Sequence, residues 1–208
     1  MNAQTERTLV AGPAGTIECA VDTPVGAEPR GVAVVAHPHP LQGGTLDNKV
    51  AQTLARAFVQ LGFRSVRFNF RGVGATQGTH DEGPGEIEDM LAVIAHWRLP
   101  GRQLALAGFS FGAYVTTWAA ARLPEAERAA GLVLVGPSTL RAPPAPVPAD
   151  TIVIHGEADE VVPLSATLDW ARPQNLPIVV LPGVGHFFHG RLPQLRDLVA
   201  RLWRAGAV

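Results

Sequence analysis

Apolar positions along the chain fall into two kinds of run, and the two kinds alternate. Gly31–Ala36, Arg64–Phe70, Leu104–Ala107, Gly131–Val135, Thr151–Ile154 and Ile178–Leu181 are short, largely continuous apolar segments. Runs of this length and character predict strands covered on both faces. Between them the spacing changes to that of a helix. Val50, Leu54, Ala57, Phe58 and Leu61 share one face of a predicted helix over about Asn48–Leu61, and Gly62 is placed to end it. Ile87, Met90, Leu91 and Ile94 do the same within Glu86–Trp97, whose acidic first turn suits the helix dipole. Further helices are predicted over Ala113–Leu123, over Leu164–Arg172, and at the end of the chain, where Leu192, Leu195, Leu198, Val199 and Leu202 form a stripe. Only the first segment alternates residue by residue. Thr8–Gly12 and Thr16–Asp22, joined by Gly12-Pro13-Ala14-Gly15, read as a hairpin.

Strands alternating with helices predict an α/β domain over residues 1–208, with a mostly parallel sheet of about eight strands and helices on both faces. Ligands in such sheets bind beyond the carboxyl ends of the strands. The loops that carry unusual residues all follow strands, so they share that edge. One connection stands apart. Pro137–Asp150 holds five prolines and no helical apolar period. A helical cap is not expected from it, because proline-dense sequence favours a stiff extended path.

Composition narrows the class. Hydrophobic residues make up 47% and charged residues 17%, with a formal net charge of −1, which fits a globular chain with a sizeable core. No basic block points to nucleic acid or to an anionic membrane surface, and no stretch approaches a membrane span. Cys19 is the single cysteine and alternates with Ile17 and Val21, as an inert core residue would. With no apolar leader at Met1–Val10, these features predict a cytoplasmic protein. Lys49 is the only lysine among many arginines, a bias associated with GC-rich bacterial genomes.

The chemistry sits after the strand at Leu104–Ala107. It runs into Gly108-Phe109-Ser110-Phe111-Gly112 and then into an Ala-rich helix. A Gly-x-Ser-x-Gly turn between strand and helix is a nucleophile elbow, which lifts the serine clear of the sheet. A serine needs a base. Two histidines follow the last strand, His186 and His189, and His186 is favoured because Gly183 and Gly185 place it directly at the strand end. An acid to orient that ring is available at Asp159, with Glu157 and Glu160 as alternatives. The oxyanion hole requires two N–H groups. Phe111 opens the helix and supplies one. The loop His37-Pro38-His39-Pro40-Leu41-Gln42 supplies the other, and Pro38 and Pro40 have no N–H, so His39 is the first choice and Leu41 the second.

The order Ser110, Asp159, His186 is that of the α/β-hydrolases, and the chain resembles that family over nearly its whole length. His37-Pro-His-Pro-Leu-Gln-Gly-Gly, Phe68-Asn-Phe-Arg-Gly-Val-Gly and His155-Gly-x-x-Asp-x-x-Val-Pro163 resemble a small capless bacterial branch related to dienelactone hydrolases. Those enzymes usually carry a cysteine nucleophile. Ser110 stands here instead, so their lactone chemistry does not transfer. The resemblance implies a serine hydrolase acting on a small ester or thioester, with no cofactor and no metal. Two rival readings stand beside it: a peptidase or amidase on the same residues, and a binding module that retains the fold without catalysis. His37 and His39 as metal ligands lack a supporting cluster. Gly72-x-Gly74-x-x-x-Gly78 misses the dinucleotide spacing by one residue. Arg71 is read as a loop brace, His155 as structural, and Trp118 and Trp203 as core.

Overall fold

The computed structural model describes residues 5–140 and 142–205. Eight strands form one sheet: β1 (Glu6–Gly12), β2 (Gly15–Asp22), β3 (Gly31–Ala36), β4 (Arg64–Phe68), β5 (Gln103–Phe109), β6 (Gly131–Val135), β7 (Ile152–Gly156) and β8 (Ile178–Leu181). Their spatial order is β1-β2-β4-β3-β5-β6-β7-β8. The hairpin β1–β2 is antiparallel and joins β4 antiparallel, and every other pairing is parallel. Five helices connect or flank the strands: α1 (Lys49–Gln60), α2 (Pro84–Trp97), α3 (Phe111–Arg122), α4 (Leu164–Ala171) and α5 (Leu192–Ala205).

Alternation along β3 shows how the two faces are filled. Ala33 and Val35 pack with α1 and α5, through Phe58, Leu195 and Trp203, and with Phe63 from the turn after α1. Val32, Val34 and Ala36 pack on the opposite face with α2 and α3, through Met90, Ile94 and Val115. Strands covered on both sides need no polar face, which is why the central ones read as continuous apolar runs. Cys19 is buried among them, and burial pushes its thiol up to about 12.

One strand end and one tryptophan differ from the sequence expectation in ways that bear on the site. The strand expected to reach Phe70 ends at Phe68. Asn69 still donates its N–H to the Glu18 carbonyl of β2, and the backbone departs at Phe70, whose N–H goes to His37 Nε2. Trp118, read as core, is half-buried and packs against the margin of the core. Its indole N–H donates to the Pro143 carbonyl at 3.3 Å, and the Trp170 indole does the same to Pro144 at 3.2 Å. The Ala145 N–H donates to Thr117 Oγ1 and the Val147 N–H to Gln174 Oε1. The proline-rich connection is therefore strapped to α3, to α4 and to the turn after α4. No helix forms in its described residues, so the carboxyl edge of the sheet carries no cap.

Candidate active site

Ser110 is the first residue after β5 and the N-cap of α3, with φ 56° and ψ −117°. A non-glycine residue there is strained. The surroundings enforce it: the Ser110 N–H donates to the Val135 carbonyl, and the Ser110 carbonyl accepts the N–H groups of Ala113, Tyr114 and Ser138. A Cβ on Gly108 would run into the Gly112 carbonyl, and one on Gly112 into the carbonyls of Ala36 and His37. Both glycines are therefore required by close backbone approach. The turn leaves the Ser110 hydroxyl above the sheet edge.

Two further loops converge on it. His186, after β8, is 2% exposed. Its Nε2 lies 3.1 Å from Ser110 Oγ and its Nδ1 lies 2.7 Å from Asp159 Oδ2. Asp159, after β7, uses its other oxygen to accept the N–H groups of Val161 at 2.9 Å and Val162 at 2.7 Å. Burial alone would raise this carboxyl. The hydrogen bond from His186 and those from Val162 and Val161 outweigh it and hold Asp159 below the usual carboxylate range. The hydrogen-bond pattern sets the His186 tautomer: Nδ1 carries the hydrogen, and Nε2 is left as an acceptor for the serine proton.

The competitors fall elsewhere. His189 is exposed, with its ring tilted against that of Phe187. Phe188 lies between the two histidines with φ 52° and a fully buried ring, and this left-handed turn directs His189 away. Glu157 and Glu160 do more than sit in solvent. Glu157 accepts the Gly183 N–H, and Glu160 accepts the His186 N–H at 3.4 Å, so both hold the histidine loop by its backbone. His155 is buried, with Nε2 donating to the Val162 carbonyl and Nδ1 facing Thr167 Oγ1.

The loop after β3 folds tightly over the elbow. His37 is fully buried. Its Nδ1 donates to the Pro38 carbonyl, its Nε2 accepts the Phe70 N–H, and burial lowers its pKa to about 4. Both ring nitrogens are thus engaged, so His37 is not placed to ligate a metal. His39 caps a short 3-10 turn at Pro40–Gln42, and its Nδ1 accepts the Leu41 N–H at 3.2 Å while its carbonyl accepts that of Gln42. The second-choice donor, Leu41, therefore spends its N–H within the loop. The Phe111 N–H is at the first position of α3, where a helix has no internal acceptor to offer.

A protein-family model described as the alpha/beta hydrolase fold matches residues 42–150. The chain belongs to the α/β-hydrolase fold family. That match includes Ser110 and ends before Asp159 and His186. This α/β-hydrolase is 40% identical to a solved alpha-beta serine hydrolase homologue from Coxiella burnetii, with TM-score 0.82 over 94% of this chain and 96% of that one. It is 38% identical to a structure from Xanthomonas campestris described as a serine hydrolase without lid, with TM-score 0.88 over 99% of this chain and 96% of that one. An uncharacterized protein of Rickettsia prowazekii is 33% identical over 76% of this chain and 71% of its own length.

The hydrolase opens onto a cleft of about 270 Å³ beside Ser110, walled by His39, Phe111, Tyr114, Leu140, Val161 and Val162. Arg71, read from the sequence as a loop brace, ties the loop after β4 to α2: it donates to both Asp89 oxygens and to the Gly85 carbonyl. Sequence reasoning missed the segment at His80–Glu86. Glu86 is fully buried and accepts N–H groups from Asp81 and Gly83, and His80 Nδ1 lies 2.7 Å from it. The signal available was Glu86 itself, at the third position of a helix whose N-cap is glycine, where a carboxylate can reach back to the cap N–H.

Proposed function

We propose that this protein hydrolyses small carboxylic esters or thioesters through an acyl-serine intermediate. The observation that carries the reading is the unbroken row Ser110 Oγ, His186 Nε2, His186 Nδ1, Asp159 Oδ2, with contacts of 3.1 and 2.7 Å, at the mouth of a cleft. His186 takes the Ser110 proton as Oγ attacks the acyl carbon, and the carbonyl oxygen becomes an oxyanion. The N–H groups of Phe111 and His39 receive that charge. Collapse expels the alcohol or thiol, which takes the proton from His186. Water then enters, gives a proton to the same ring and releases the acid, restoring Ser110. Asp159 keeps the ring in the productive tautomer and stabilises the imidazolium.

The absence of a cap favours small esters over peptides, because nothing in the described residues extends the cleft to grip a polypeptide. Labelling with a fluorophosphonate probe tests the proposal. Wild-type protein should be labelled at Ser110, and Ser110→Ala should be neither labelled nor active on p-nitrophenyl acetate. Retention of more than about a hundredth of the rate in Ser110→Ala would refute it, since loss of such a nucleophile costs several decades.

A further inference from the structure

The rings of the two residues proposed to donate to the oxyanion meet a third ring. His39 and Phe111 lie 5.1 Å apart, centroid to centroid. His80 packs edge-on against both, at 4.9 Å from His39 and 5.5 Å from Phe111. The three come from separate segments: the loop after β3, the segment before α2 and the start of α3. The His80 side chain is 6% exposed, and one hydrogen bond orients it, from Nδ1 to the fully buried Glu86. Its Nε2 is buried and meets no hydrogen-bonding group among the described residues. Glu86 in turn is fixed to backbone by the Asp81 and Gly83 N–H groups at 3.2 and 2.7 Å.

On the His39 side the backbone is held by a local turn: the His39 carbonyl accepts the N–H groups of Gln42 and Gly44, while Pro38 and Pro40 on either side donate none. Phe111 is anchored instead by its helix, so the two N–H groups belong to separate pieces of backbone that the ring cluster spans. An oxyanion hole works because its donors are already in place when charge develops, and a displacement of about 1 Å can cost 10²-fold in rate.

We infer that His80, oriented by Glu86, is a positioning residue for the oxyanion hole, setting the His39 N–H against the Phe111 N–H through the His39–His80–Phe111 ring cluster. The inference rests on the hydrolase reading above. It concerns kcat and the tetrahedral state, not substrate binding, because His80 does not line the cleft.

The test compares wild type, His80→Ala, His80→Asn and His80→Phe in hydrolysis of p-nitrophenyl acetate, in affinity for a trifluoromethyl ketone, and in Tm. The ketone forms a tetrahedral adduct whose oxyanion occupies the hole. His80→Ala should lose about 30- to 100-fold in kcat and a similar factor in ketone affinity, with KM changed less than about threefold. His80→Phe restores the ring and should recover most of both. His80→Asn keeps a donor for Glu86 but removes the ring, so it should match Ala, and it serves if the alanine variant does not fold. Variants that lower Tm yet keep kcat and ketone affinity would overturn the inference, as would an asparagine variant that outperforms phenylalanine. A wild-type protein that neither reacts with a fluorophosphonate nor hydrolyses the ester sinks the hydrolase reading, and this inference with it. Normal wild-type reactivity with insensitive His80 variants sinks the inference alone.

Discussion

Replacing Asp159 by Asn changes one atom and should disable His186 by forcing the wrong tautomer. The asparagine amide has one acceptor and one donor end. The Oδ1 position faces two N–H donors, Val161 at 2.9 Å and Val162 at 2.7 Å, and the Oδ2 position faces His186 Nδ1 at 2.7 Å. Turning the amide nitrogen toward the valines would leave the buried Val162 N–H without an acceptor, at roughly 1–3 kcal/mol, and would also break the part-buried bond from Val161. Turning it toward His186 needs only a proton shift within the ring. His155 Nε2, 3.4 Å from Oδ2, already donates to the Val162 carbonyl at 2.9 Å and does not alter the choice. The amide therefore donates to Nδ1, the hydrogen moves to Nε2, and Nε2 can no longer accept the serine proton. A wrong-tautomer base costs about 10⁴ in kcat, or about 5 kcal/mol of transition-state stabilisation. Both valine hydrogen bonds survive, so stability should change by roughly 1 kcal/mol, a Tm shift within about 4 °C for a chain of this size. The assays are steady-state hydrolysis, thermal melting and ¹⁵N NMR of the His186 ring. Asp159→Asn retaining more than about a tenth of kcat, or His186 still protonated at Nδ1, would refute the reasoning.

Three other outcomes are expected. His186→Ala should match Ser110→Ala in activity while His189→Ala keeps most of it; the reverse pattern in p-nitrophenyl acetate turnover would reassign the base. Folding stability should fall as pH drops from about 6.5 toward 4, because the buried neutral His37 takes up its proton near 4 while the unfolded chain takes it up near 6.5. The full difference is worth about 3 kcal/mol, His155 is shifted in the same direction, and unchanged urea midpoints at pH 7.5 and pH 5 would contradict it. The cleft of about 270 Å³ should favour p-nitrophenyl acetate or butyrate over the dodecanoate or palmitate in kcat/KM, since each further buried methylene is worth only about 0.8 kcal/mol and few can be buried. A long-chain optimum, or a rate jump above the micelle threshold, would count against an open site.

The legible parts of this fold are those whose cause is local. Continuous apolar runs marked the strands buried on both faces, and Gly108 and Gly112 marked a turn that only glycine permits. Asn48 and Gly62 bracketed α1 because capping acts within a few residues. Where the cause lies far along the chain, the sequence is silent. Past β4 the Phe70 N–H turns to His37, which is 33 positions away in sequence. His186 and His189 sit in similar local sequence, and the left-handed turn at Phe188 separates them only once the Phe188 ring is in the core. Nothing in the local sequence singles out His80, since its neighbours His39 and Phe111 lie 41 and 31 positions away.

The strap made by Pro143 and Pro144 under the indoles of Trp118 and Trp170 also bears on what limits turnover. Enzymes with a mobile lid often spend most of each cycle waiting for it, so that opening or product release sets kcat. A wall pinned by two side chains from α3 and α4 offers no such waiting step, so each cycle should be timed by the chemistry proposed at Ser110. Turnover should slow in heavy water and ignore the viscosity of the medium.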